Sequence, residues 1–175
     1  MSEILIIYST TDGHTRDICQ RLQQLIEQQG HQVTLAPVDD APDIRLESFD
    51  KIVIGASIRY GKHHKRIYDF IKNNEQILDS KPNAFFSVNV VARKPEKNQP
   101  ETNPYLQKFL RQISWQPKQL AVFAGKIDYP QYRFRDRQMI RLIMWMTKGP
   151  TNTDAEIEYT NWDRVTGFGE RLTTL

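Results

Sequence analysis

Five short apolar runs, each followed by a polar turn or a helical periodicity, constrain this chain more than any other feature. They read EILIIY at 3–8, HQVTLAP at 31–37, KIVIGA at 51–56, AFFSVNVV at 84–91 and QLAVFAG at 119–125. Most carry no polar alternation, which is the pattern of strands buried on both faces of a parallel sheet. Between them the period changes. Ile18, Cys19, Leu22, Leu25 and Ile26 recur at three and four, and Gly30 stops that helix. Ile67, Phe70, Ile71, Ile77 and Leu78 do the same within 66–78. The segment 160–175 reads as a closing helix, with Thr160 and Asp163 placed as a capping box and Gly167 and Gly169 weakening its interior. Strands alternating with helices predict an α/β fold: a five-stranded parallel sheet, doubly wound. At 175 residues the chain forms one domain, 1–175, large enough to bury a core without staples.

Two connections exceed what this architecture needs. The first, 92–118, follows the fourth strand and carries four prolines and a short helix, capped by Asn103 with Pro104 at its first position. The second, 126–158, follows the fifth strand. Its part 126–150 holds Lys126, Arg133, Arg135, Arg137, Arg141 and Lys148 against Asp128 and Asp136, a larger excess than the whole chain's net charge of +3. Within it RDRQMIRLIMWMTK predicts a basic amphipathic helix over 135–148. Such a helix with Trp at its border suits a membrane surface, with Arg137, Met139, Ile140, Arg141, Ile143, Trp145 and Lys148 in contact. A helix packed on the domain and a homo-oligomer interface are the alternatives.

Other features exclude classes. One cysteine, Cys19, allows no internal disulfide framework and no multi-Cys metal site, and a reducing compartment is expected. The opening MSEILIIYS lacks a basic leader region, and no run approaches the ~20 apolar residues of a spanning helix. The expectation is therefore a cytoplasmic protein, free to lie on a membrane. No metal is expected, because His63 and His64 are adjacent and lack a carboxylate or thiol partner. Nothing calls for nucleic acid. No nucleophile–base pair is visible, so a cofactor is expected to carry any chemistry.

In a parallel α/β sheet ligands bind beyond the carboxyl ends of the strands, at the point where strand order reverses. Three loops meet there. The first, 9–15, joins a buried strand to a helix start and holds Ser9, Thr10, Thr11, Thr15 and Gly13, but no Lys or Arg. It suits a monophosphate held by neutral donors and the helix dipole, and equally describes an ordinary capped helix. Neither GxxxxGK[ST] nor GxGxxG is present. The second loop, SIRYGKHH, and the third, opening VVARKPEK, are basic, with Tyr60 offering a ring. Together they suit a flat ligand and an anionic substrate, although exposed loops are often basic.

ILIIYSTTDGHTRDI resembles the flavodoxin family at its strand, phosphate loop and first helix. That resemblance implies FMN, with its phosphate on Ser9, Thr10, Thr11, Asp12, Gly13, His14 and Thr15. It places the ring between Ser57, Ile58, Arg59, Tyr60 and Gly61 on one side and Asn89, Val90, Val91, Ala92 and Arg93 on the other. Flavodoxins are acidic carriers with aromatics on both loops; this chain is basic and offers Tyr60 alone. GASIRYGKHH, SVNVVARKPEKNQPETNPY and YPQYRFRDRQMIRLIMWMTKG are similar to the family of bacterial menaquinone-dependent protoporphyrinogen oxidases, over almost the whole chain. The resemblance implies an oxidoreductase acting on CH–CH groups: oxidation of protoporphyrinogen IX to protoporphyrin IX in heme synthesis. It further implies menaquinone or ubiquinone as electron acceptor and a peripheral place on the cytoplasmic face of the bacterial inner membrane. Arg59, Arg93 and Lys94 then become candidate partners of the substrate's propionates. A flavodoxin-like electron carrier and an NAD(P)H:quinone reductase on the same scaffold are the alternatives.

Overall fold

The computed structural model describes residues 1–175. Its central sheet comprises β1 (Glu3–Ser9), β2 (Gln32–Pro37), β3 (Lys51–Arg59), the short β4 (Lys62–His63), β5 (Asn83–Asn89) and β6 (Gln119–Ala124). Five of these are parallel, in the order β2-β1-β3-β5-β6, and β4 folds back antiparallel on β3. The helices are α1 (His14–Glu27), α2 (Lys65–Ser80), α3 (Pro104–Gln112), α4 (Phe134–Met146) and α5 (Trp162–Thr173).

Successive side chains of a strand face opposite ways, and each face meets its own helices. Ile4 and Ile6 of β1 pack with Ile18 and Leu22 of α1 and with Val165 and Phe168 of α5. Leu5 and Ile7 pack with Ile67 and Phe70 of α2 and with Leu106, Phe109 and Trp115. The sheet is sealed on both sides, which is why its strands read as unbroken apolar runs. Gly55 breaks the KIVIGA run because a Cβ there would run into the Phe86 ring of the neighbouring strand. The chain leaves β1 toward β2 and returns on the other side of β1 to form β3. The reversal therefore lies between β1 and β3.

The structure changes three sequence expectations. Asn161, not Thr160, caps α5: its side-chain oxygen accepts from the N–H groups of Asp163 and Arg164 at 3.1 and 3.4 Å. Thr160 is used elsewhere. α4 begins at Phe134 and ends at Met146, and the chain turns away at Lys148, whose φ is 59°. The segment 126–158 also contains a ribbon that the sequence does not announce. β7 (Lys126–Asp128) pairs antiparallel with β8 (Glu156–Glu158). The ribbon holds both ends of the insertion together. Ile127 of the ribbon, Tyr129, Tyr132 and Met144 form a small core of their own. No helix is long and apolar enough to cross a membrane.

Candidate functional site

The carboxyl ends of β1 and β3 open into a cleft of about 290 Å³. Its first wall is the turn into α1. Gly13 takes φ 90°, and its N–H donates to Thr10 Oγ1 at 2.9 Å. No side chain caps α1, so its first N–H groups are left for a ligand. Thr15 is 1% exposed and its hydroxyl has no partner. An unpaired buried hydroxyl costs about 1–3 kcal/mol, which an oxyanion seated on the turn would remove. Thr11, Asp12 and His14 also line this wall, whereas Ser9 faces a separate small pocket.

The second wall is Ser57–Gly61. Tyr60 and Gly61 both hold positive φ, 53° and 78°, which turns the loop over the cleft. Arg59 does not stand free. Its guanidinium pairs with Asp12 of the first wall and, at 3.7 Å, with Asp136 of α4. It also lies 5.3 Å over the Tyr132 ring. The Tyr60 hydroxyl donates to Asp136 as well. This bond, then burial, raises the Tyr60 pKa above its ordinary value. One clasp thus joins the two loops to the insertion.

The third wall is the turn after β5. Val90 and Val91 line the cleft, and buried Asn89 shapes the turn by accepting the Ala92 N–H at 3.1 Å. Ala92 itself does not reach the cleft; it packs in the core on the α2 side. Arg93 lines the cleft but is committed to backbone. It donates to the Val90 carbonyl and the Thr147 carbonyl, each at 3.1 Å, and strut-like holds the end of α4 against the turn. Lys94 lies outside the cleft. The expected rim of free cations is therefore not what these loops form: Arg59 is neutralised and Arg93 is a brace.

The insertion supplies a fourth wall. Ile140, Ile143 and Met144 face inward beside Tyr132 and Thr147. Two of the expected outward contacts, Ile140 and Ile143, thus belong to the cleft. A third, Arg137, bonds back to the Tyr129 and Tyr132 carbonyls at 3.2 and 3.4 Å. Met139, Arg141, Trp145 and Lys148 do face outward, joined by Phe134, Leu142 and Met146. The helix carries apolar residues on two sides, so periodicity alone cannot tell its inner side from its outer one.

His14 is fixed from behind. Its Nε2 lies 2.6 Å from Thr160 Oγ1, whose hydroxyl donates to the Ala124 carbonyl at 2.7 Å. With the threonine hydrogen so engaged, His14 donates from Nε2 and keeps its lone pair on Nδ1. Burial lowers its pKa below the usual histidine range. Thr160, Tyr132, Asp136 and Thr147 were invisible as site residues in the sequence, since all act across the fold. No group of three or more His, Cys, Asp or Glu gathers to hold a metal ion. Of the adjacent pair His63 and His64, His63 is buried against Phe85 and Phe109.

Comparison with known proteins agrees with this geometry. The family described as Flavodoxin domain matches residues 5–154. A protein named protoporphyrinogen IX dehydrogenase (quinone), from Escherichia coli (strain K12), is 46% identical over 171 residues, covering 98% of this chain and 94% of its own. A Leishmania major protein of the same name is 41% identical over 172 residues, covering 98% of this chain and 74% of its own. Among solved structures, oxidised flavodoxin 1 from Bacillus cereus superposes with a TM-score of 0.57 at 15% identity, covering 99% of this chain and 98% of that one. A flavodoxin from the domain Archaea gives 0.52 at 12% identity, covering 98% and 96%.

Proposed function

Since the chain belongs to the flavodoxin-domain family and, within it, to the protoporphyrinogen IX dehydrogenases (quinone), we propose that it oxidises protoporphyrinogen IX to protoporphyrin IX, with FMN as cofactor and a membrane quinone as acceptor. The observation that carries this reading is the cleft itself. Its phosphate-type turn and its two loops follow the flavodoxin plan, while its fourth wall comes from the 126–158 insertion.

The residues present fit FMN. The buried, unpartnered Thr15 hydroxyl and the uncapped start of α1 would hold its phosphate. The 57–61 and 88–91 turns would hold its ring. When bound, FMN supplies the acceptor for hydrogen lost from substrate carbon. The chain's own part is to bind, orient and exclude water. Ile140, Ile143 and Met144 give the cleft an apolar wall, and the Arg59–Asp136–Tyr60 clasp fixes that wall over the loops. His14 Nδ1 is the one imidazole lone pair on the cleft, and its lowered pKa keeps it free to take a proton near neutrality.

The outer side of α4 supports a peripheral place on a membrane, where the quinone resides. Trp145 is 71% and Phe134 74% exposed, and Arg133, Arg135, Arg141 and Lys148 surround them. The test is porphyrin fluorescence. FMN-loaded protein is incubated without oxygen with protoporphyrinogen IX and menaquinone. Quinone-dependent appearance of protoporphyrin above a protein-free control is expected; a rate equal to the control, with FMN bound and lipid present, overturns the reading.

A further inference from the structure

Behind the 9–11 turn lies a second pocket, between β1, β4 and the start of α2. Ser9, Thr10, Thr11, Lys62, His63 and His64 line it, and no apolar residue or carboxylate is among its walls. Ser57 and Arg59 complete it, and these two with Thr10 and Thr11 line the main cleft as well.

The surrounding network fixes where its hydrogens lie. Asn103 Oδ1 accepts the Leu106 N–H at 3.1 Å, which orients that amide. Asn103 Nδ2 then donates to Asn89 Oδ1 at 3.0 Å, and Asn89 Nδ2 donates to Ser87 Oγ at 3.2 Å. The Ser87 hydroxyl hydrogen is left for His63 Nε2, 2.9 Å away. His63 therefore carries its own hydrogen on Nδ1. That Nδ1 is buried with no partner, in a residue only 4% exposed. Ser9 Oγ is likewise buried without a partner, in a residue 8% exposed.

The remaining groups offer hydrogen too. His64 Nδ1 accepts the Arg66 N–H at 3.2 Å, capping α2 and leaving Nε2–H outward. Thr10 Oγ1 already accepts from Gly13, so its hydroxyl hydrogen is available. Lys62 forms no ion pair. Buried donors without acceptors are rare in folded proteins, and two in one carboxylate-free pocket over a helix start describe a place for negative oxygen.

We propose that this pocket, through Ser9, Lys62, His63 and His64, which do not line the main cleft, binds an oxyanion, a carboxylate or a phosphate, behind the cofactor's phosphate turn. Resting on the functional reading above, the carboxylate source is a propionate of the porphyrin substrate, since Thr10, Thr11, Ser57 and Arg59 border both spaces and Lys62 is the pocket's unpaired cation. Free phosphate is the other source of the same chemistry.

The experiment uses FMN-loaded protein, whose phosphate turn is already filled. Inorganic phosphate is titrated while the imidazole nitrogens of His63 and His64 are followed by NMR. Protoporphyrin IX and its dimethyl ester are titrated separately by fluorescence polarisation. Phosphate is expected to shift both imidazoles saturably, and Lys62→Gln or Ser9→Ala to weaken it about tenfold, the worth of one charge-assisted hydrogen bond. Lys65→Gln, just outside the pocket, changes it less than about twofold by surface screening alone. If Lys62→Gln also weakens the free diacid and not the ester, the occupant is the substrate's carboxylate; if acid and ester respond alike, it is phosphate. Absence of saturable imidazole shifts, or equal phosphate affinity in wild type and both variants, overturns the proposal. Porphyrinogen oxidation by the same wild-type preparation reports on the functional reading independently.

Discussion

Replacing Thr15 by Val exchanges a hydroxyl for a methyl group of nearly the same size at a site that is 1% exposed. In the free protein that hydroxyl has no hydrogen-bond partner. Its removal relieves a desolvation cost of about 1–3 kcal/mol, so the FMN-free variant becomes more stable. For a chain of this length each kcal/mol moves Tm by about 2–4 °C, giving a rise of several degrees. FMN binding moves the opposite way. A hydrogen bond to a charged phosphate contributes about 1.5–3 kcal/mol, and its loss weakens FMN roughly tenfold to a hundredfold. The assay is a pair of measurements on one variant: thermal melting without FMN, and quenching of FMN fluorescence on binding. Opposite signs are the signature of a hydroxyl left unpaired for a ligand. Unchanged FMN affinity would refute the placement of the phosphate on this turn, and a lower FMN-free Tm would show that the hydroxyl already has a partner.

Three further outcomes rest on the clasp, on His63 and on the outer face of α4. Asp136→Asn removes the charge that Arg59 and Tyr60 share; the clasp is partly exposed, so stability should fall by no more than about 1 kcal/mol. Limited proteolysis within 129–148 should nonetheless quicken several-fold, and an unchanged cleavage rate would count against the clasp. His63 resists protonation down to about pH 3 because it is buried, whereas an unfolded chain takes the proton near 6.5. Its contribution is thus fully present above that upper value and is lost as pH falls, at up to about 1.4 kcal/mol per pH unit. Denaturant melts at pH 7, 6 and 5 should show a shallower decline in His63→Gln; parallel slopes would refute the assignment. The double change Phe134→Ser with Trp145→Ser should cut co-sedimentation with anionic vesicles at least about tenfold, given 1.5–3 kcal/mol per buried large apolar side chain. Ile140→Ala should leave it unaltered, and equal losses from the two variants would remove the distinction between the faces of α4.

The sheet was legible because each of its strands is buried on both faces and therefore writes an unbroken apolar run. The 9–15 turn was legible for a related reason: Gly13 and the hydroxyls sit next to one another along the chain. What could not be read were partners far apart in sequence. Arg59 looked like a free cation because Asp12 is 47 positions away and Asp136 is further still. Arg93 looked the same until Thr147, 54 positions on, appeared beside it. His63 ends the two-residue strand β4 and turns into the core, whereas His64, the next residue, caps α2 at the surface. The β7–β8 ribbon pairs three residues with three, too short to leave a periodic signal.

The clasp and the outer face of α4 bear on one another through charge. Asp136 is the one acidic residue of the helix, and the structure turns it inward to Arg59 and Tyr60. Arg137, also inward, is bound by the Tyr129 and Tyr132 carbonyls. The outer side is thereby left with Arg133, Arg135, Arg141 and Lys148 and no acid to offset them. Near an anionic bilayer each such cation contributes about 1 kcal/mol. A helix that is apolar on two sides must bury both, and here one side already closes the cleft through Ile140, Ile143 and Met144. A surface that takes up Trp145 and Phe134 would then hold the roof of the cleft at the bilayer, the direction from which a quinone would arrive under the proposed function. The basic insertion is in this reading neither a spanning element nor a separate domain, but a wall of the redox site whose far side is the docking surface.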